Sequence, residues 1–189
     1  MKIYFSCFLI FFVSSTTSLA EYGRNITEIV NRINIYSDNP TKENAIKALE
    51  ILPNTTSESI GRLYSDNLIN NLESKINNDD ATAIELAIRL LNVADGAFAF
   101  DLYAILVDII VRKPVLFLEQ INKVKDDLLV KSLVLNMAEL DVEGKSKCSV
   151  LLARKKAFES VTDEKLEQIR EKSTAILDAE YKICTQQGV

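Results

Sequence analysis

The feature that most narrows how this chain can fold is the run at 97–111, AFAFDLYAILVDIIV, in which only Asp101 and Asp108 carry charge. The two carboxylates stand seven residues apart. They therefore share one side of a helix and leave nearly all of the remaining circumference apolar. Such a helix is expected inside a protein, with one narrow wet stripe. Length argues against a membrane span, since about 20 apolar residues are needed to cross the hydrocarbon. Two carboxylates within the run argue against it as well.

A partner helix lies just upstream. Ala83, Ile84, Ala87, Ile88, Leu90 and Leu91 recur at three- and four-residue steps, the spacing of a buried helical face. Asn92, Asp95 and Gly96 supply the break, with Asp95 as the expected N-cap of the second helix. Pro114 limits how far that helix runs, because proline lacks the N–H and disfavours helix in the residue before it. The hairpin at 80–114 is the expected centre of an all-α domain.

In chain order, Ile26, Ile29, Val30 and Ile33 mark a first amphipathic helix ending near Tyr36, followed by a turn at 37–40. Thr41 then caps a helix over 42–52 that turns Ala45, Ala48, Leu49 and Leu52 inward, with Pro53 as its stop signal. A polar connection at 54–57 leads to a third helix through Ile60, Leu63, Tyr64, Leu68, Leu72 and Ile76. Beyond Pro114 only a short helix starts. From 125 a strongly apolar helix places Leu129, Leu133, Met137 and Leu140 along one stripe and ends at 141–144. The segment 141–189 is more charged. It predicts helices over 149–159 and 162–183, separated by Ser160-Val161, with Thr162 as N-cap and Leu166, Ile169, Ser173, Ile176, Leu177 and Tyr181 inward. The basic triplet Arg154, Lys155 and Lys156, close to Glu159, reads as a solvated helix face.

Two helix pairs echo each other. Ala45-Ile46-Lys47-Ala48 falls on Ala83-Ile84-Glu85-Leu86 at an offset of 38, and Leu63-Tyr64 falls on Leu102-Tyr103 at an offset of 39. Over 41–140 this spacing resembles a short stack of HEAT or armadillo helical hairpins. The resemblance implies a right-handed α-solenoid fragment in which each pair buries its apolar face on the next. The third unit departs from the pattern at Pro114, and no Leu-Tyr recurs at the next interval. An irregular bundle of about seven to nine helices is the other form of the same all-α expectation.

Residues 1–20, MKIYFSCFLIFFVSSTTSLA, combine Lys2, an apolar run at 3–13 and small residues at Ser18 and Ala20, the layout of a secretory signal peptide cleaved after Ala20. Cys7 lies within the apolar run rather than just after it, so it reads as leader filler and not as a lipid attachment point. Residues 21–189 then form a single domain. The net charge of −5 becomes −6 once Lys2 leaves with the leader. The expected address is the periplasm or the cell exterior, with no transmembrane segment after cleavage. The sequons at Asn25 and Asn54 matter only in a eukaryotic secretory route. An acidic chain with no Lys/Arg stripe is poorly matched to nucleic acid or anionic lipid.

In an oxidising compartment the even pair Cys148 and Cys184 favours one disulfide; the other reading is two unrelated buried thiols. A symmetric hairpin turning at Ser160-Val161 would place Cys148 about 18 Å and Cys184 about 33 Å from the turn. A bridge needs Cα atoms about 4.4 to 6.8 Å apart. It therefore requires a bend, an earlier start of the first arm, or an oblique crossing.

Familiar catalytic chemistry is missing from the composition. There is no histidine, and the five glycines form no phosphate loop. Histidine-based nucleophile systems and histidine-containing zinc sites are thereby excluded. No cofactor or metal is expected. Carboxylates are the remaining route: Asp101 and Asp108 are either an acid pair perturbed by apolar surroundings or a plain solvent stripe. Tyr64 and Tyr103 read as packing residues with a hydroxyl at the edge rather than as a ligand clamp. The expectation is a non-enzymatic, immunity- or inhibitor-like interaction domain that binds another envelope or secreted protein, its acidity suiting a basic partner. The alternatives are a carboxylate-dependent cell-envelope enzyme and a carrier of an apolar ligand.

Overall fold

The computed structural model describes residues 25–53, 60–136 and 146–187, and every regular element among them is helical. The leader with its cleavage point, the connection at 54–57, Met137, Leu140 and the turn at 141–144 all lie outside the described residues. Helix α1 covers 25–38 and buries Ile29, Ile33 and Tyr36. It is followed by α2 (Lys42–Leu49), α3 (Asp66–Asn77), α4 (Ala81–Leu90), α5 (Gly96–Arg112), α6 (Pro114–Ile121), α7 (Asp127–Leu135), α8 (Lys147–Glu159) and α9 (Glu167–Gln187). The all-α expectation therefore holds.

Short polar side chains set most boundaries by accepting hydrogen bonds from amides that have no partner within the helix. Thr41 Oγ1 accepts from Asn44 N at 3.3 Å, as its place in the sequence predicts. Helix α2 is shorter than predicted, since residues 50–52 leave it in a turn whose Leu52 is still buried. The predicted third helix is broken as well. Ile60 N donates to Val93 O at 2.8 Å, pinning that segment to the end of α4, and residues 61–63 form a 3-10 turn. Tyr64 is extended, and Ser65 Oγ accepts from Leu68 N at 3.2 Å to start α3 afresh. At the end of α3, Asp79 takes a left-handed backbone (φ 61°) while Asp80 N bonds back to Lys75 O at 3.1 Å. That is the reverse turn that closes many helices, although here the left-handed position holds an aspartate rather than glycine. The Asp79 carboxylate meets Arg112 at 2.7 Å and Lys113 at 2.9 Å, which ties the start of the central hairpin to its end. Asp80 then caps α4 through the amides of Thr82 and Ala83. Asp95 occupies the N-cap position of α5, but its side chain makes no capping bond, and Gly96 beside it is left-handed (φ 41°). Thr162 is displaced from its predicted role by one residue, because Asp163 accepts from Lys165 N at 2.9 Å and opens the 3-10 turn leading into α9.

From α2 to α6 the helices pack on next-but-one neighbours, α2 on α4, α3 on α5 and α4 on α6, with α3–α4, α4–α5 and α5–α6 also in contact. Next-but-one contacts continue as α6 on α8 and α7 on α9, but α8 also packs on α5 and α9 on α6, and α8 and α9 close the fold as a hairpin. The shortness of α6 after Pro114 agrees with the departure of the third unit from the repeat.

The bridge Cys148–Cys184 is formed, with Cα atoms 5.8 Å apart. One of the three options set out from the sequence is met, since the first arm starts before Cys148, at Lys147. The connection spans 160–166 rather than two residues, and Arg170 Nη1 donates to Val161 O at 2.6 Å. The beginning of α9 thus runs past the end of α8, and this offset absorbs the extra length of the second arm.

The basic triplet is the largest correction. Lys156 is exposed and Lys155 half-buried, but Arg154 is only 1% exposed, between Leu151 and Phe158 on the inner face of α8. Its guanidinium donates to Val134 O at 3.0 Å, and burial lowers its pKa to about 10.

Candidate functional site

The inner side of α5 is core: Phe98, Leu102, Leu106, Ile109 and Ile110 are buried there. The outer side differs from the narrow wet stripe that the sequence suggests, because apolar residues occupy it too. Phe100 is 52% and Val111 48% exposed. At 100° per residue these two project within about 20° of each other, and Ala104 and Val107 lie between them on the same face. Asp101, half-buried, and Asp108, exposed, form one edge of this stripe. They stand two turns apart, about 10 Å along the axis.

Tyr64 leans on that edge. Its ring meets Phe98 edge-on with centroids 5.8 Å apart. Its hydroxyl bonds to Asp101, and this bond, then the charges of Asp101 and Asp66, holds the phenol above its ordinary pKa. Tyr103 stands on the other edge and does a different job. Burial raises its pKa, Ser132 bonds to its hydroxyl, and its backbone carbonyl accepts from Asn136 Nδ2 at 2.6 Å, joining α5 to the end of α7. The apparent equivalence of the two tyrosines in the repeat is thus not structural, since Tyr64 precedes α3 whereas Tyr103 lies within α5.

Elsewhere, Glu85, Arg89, Asn92, Gln120 and Lys123 line a small hollow between α4 and α6 with a volume of about 20 Å³. That is room for a single water. Asn92 Oδ1 is buried there without a hydrogen-bond partner, while its amide nitrogen donates to Pro53 O at 2.9 Å. The wider surface hollow between α8 and α9 is lined by Glu159, Arg170, Glu171 and Asp178. Two of its carboxylates, Glu159 and Asp178, are held by Lys155. Among the described residues no group of three His, Cys, Asp or Glu side chains is placed to hold a metal, and no helix is long and apolar enough to cross a membrane.

The features missed from sequence are Arg154 and the apolar outer face of α5. The second was visible in part: Phe100, Ala104, Val107 and Val111 follow the helical spacing, but the eye assigns all apolar positions of such a helix to the core. No family model, no curated protein and no solved structure matches this chain.

Proposed function

We propose that this chain is an exported helical protein-interaction domain, and that the outer face of α5 is where it binds. The observation that carries this reading is the exposed Phe100–Val111 stripe on a helix whose opposite side is the centre of the core. A well-packed helix that leaves a large aromatic side chain half in water gains nothing for its own stability there, whereas a partner could cover that surface. Export is supported by the leader-like residues 1–20, with cleavage after Ala20, and by the disulfide, which persists in oxidising compartments. A periplasmic, immunity- or inhibitor-like role fits this address and the acidic charge.

The test is affinity capture from the envelope fraction with oxidised residues 21–189 as bait, alongside the same bait carrying Phe100→Asp. One stoichiometric protein, retained by the first bait and lost from the second, is the expected result. A partner held equally by both moves the binding face elsewhere. Bait alone in both eluates overturns the interaction reading.

A further inference from the structure

The chemistry of a partner for α5 follows from what borders its outer stripe. The stripe is one helix wide and runs for about 21 Å from Ala97 to Val111, four turns at 1.5 Å per residue. Its apolar side chains follow steps of three and four residues, a surface that a second helix matches with its own apolar stripe. The two long edges differ electrostatically. One carries Asp101 and Asp108, with Tyr64 and Asp66 beside Asp101. The cations at the end of α5 do not neutralise it, because Arg112 and Lys113 are both turned onto Asp79. Asp108 is exposed and makes no ion pair among the described residues. The other edge carries Tyr103 and Ser132, neutral groups hydrogen-bonded to each other.

This asymmetry bears on which occupant fits. In an antiparallel two-fold pair of α5 helices, the axis lies in the interface and returns each edge to its own side. Asp101 and Asp108 of one copy would then line up beside the same residues of the other, and like charges brought together cost affinity. A parallel pair sets the acids against the neutral edge and leaves them without cations. A basic flank meets both carboxylates at once.

We propose that the outer face of α5 seats a basic amphipathic helix of a partner protein, its apolar stripe on Phe100, Ala104, Val107 and Val111 and its Lys or Arg side chains against Asp101 and Asp108. This rests on the interaction reading above and adds the partner's chemistry. The carboxylates guide approach and fix which way round the helix lies, while Phe100 and Val111 supply the buried contact.

The probe is a displayed library of 18-residue helical peptides with a fixed leucine stripe and flanks drawn from Lys, Glu, Gln and Ser. It is selected on oxidised residues 21–189, with Phe100→Asp for counter-selection. The expected winners carry Lys along one flank and lose about tenfold in affinity on an Asp101→Asn, Asp108→Asn double variant, the effect of two exposed ion pairs. Winners with neutral or acidic flanks, or winners that bind the Phe100→Asp chain equally well, overturn the proposal. A wild-type dimer in sedimentation that becomes a monomer on Phe100→Asp also overturns it, because the face then belongs to a second copy. Phe100 and Asp108 are exposed and Asp101 is half-buried against Tyr64, so circular dichroism melts matching wild type are the check that the variants fold. If the envelope partner is lost on Phe100→Asp while the winning peptides have neutral flanks, the interaction reading stands and only the basic chemistry falls.

Discussion

The two hairpins, α4–α5 and α8–α9, hold together by different means. In α4, six of ten residues are buried, all of them Ala, Ile or Leu, and the facing side of α5 is equally apolar. In α8 the buried residues are Leu151, Arg154 and Phe158, and α9 contributes Ile169, Ser173, Leu177 and Cys184 to the interior. Where apolar surface is scarce, other links take over. Lys147 meets Glu180 at 2.6 Å, Lys155 meets Asp178, Lys172 of α9 meets Asp127 of α7, and the disulfide joins the far ends. The regions meet through stacked rings, with Phe117 of α6 6.0 Å from Phe158 of α8. One hairpin is thus specified mainly by burial, with the Asp79–Arg112–Lys113 ion pairs tying its two ends, whereas the other leans on named partners, so the two should fail under different insults.

The most severe way to break the first hairpin is to remove methylenes from it. Leu102→Ala and Leu106→Ala, at fully buried positions, are each expected to cost about 3 to 5 kcal/mol. Together they approach the whole stability of a domain of this kind, roughly 5 to 15 kcal/mol. Urea midpoints give the measurement, and a loss below about 1 kcal/mol for either single change would contradict a tightly packed centre.

Next in size is the disulfide. Its 36-residue separation corresponds to roughly 4 kcal/mol of loop-closure entropy, an upper value because residual structure in the reduced, unfolded chain lowers the entropy that the bridge removes. Cys148→Ser with Cys184→Ser should lower stability by about 2 to 4 kcal/mol. Hydrogen exchange should accelerate first in the last turns of α9 and leave α4 and α5 protected. Uniform acceleration across both hairpins would show that they are not separable.

The smallest effect lies at alkaline pH. Burial, and then the charge of Asp80, pushes the Tyr36 hydroxyl up to about 12. The unfolded phenol ionises near 10 while the folded one keeps its proton, so stability falls as pH rises through that window. Tyr36→Phe should therefore flatten the alkaline decline by about 1 to 2 kcal/mol near pH 11. Urea midpoints taken between about pH 9 and 11 decide this, and equal slopes in the two proteins would contradict it.

The same contrast explains how much could be read in advance. The centre was legible because its period is undiluted: Ala83, Ile84, Ala87 and Ile88 have no rival interpretation, and Pro114 stops α5 by steric necessity. The Thr41 cap rests on similarly local chemistry, and the Cys148–Cys184 pairing on there being no other cysteine after the leader. Arg154 was not legible, since three consecutive basic residues look like a wet face. Its one clue was position, three residues after Leu151 and four before Phe158, where the helical period calls for an apolar side chain. A local pattern also misplaces helix starts, as at Ser65 and Asp163, when a neighbouring element pulls the backbone out of helix, here through the bond between Ile60 and Val93. The α5 stripe was half-legible, because periodicity says which residues share a face but not which face another helix covers.

The near-neighbour packing from α2 to α6 has a kinetic consequence. Contacts between elements close along the chain require only short loops to close before they reward the chain, and folds wired this way form quickly. The N-terminal part can therefore condense in sequence order. The contacts of α8 with α5 and of α9 with α6 skip two intervening helices and need longer excursions of the chain. The tail hairpin acts on this view as a closing piece, arriving on a scaffold already assembled.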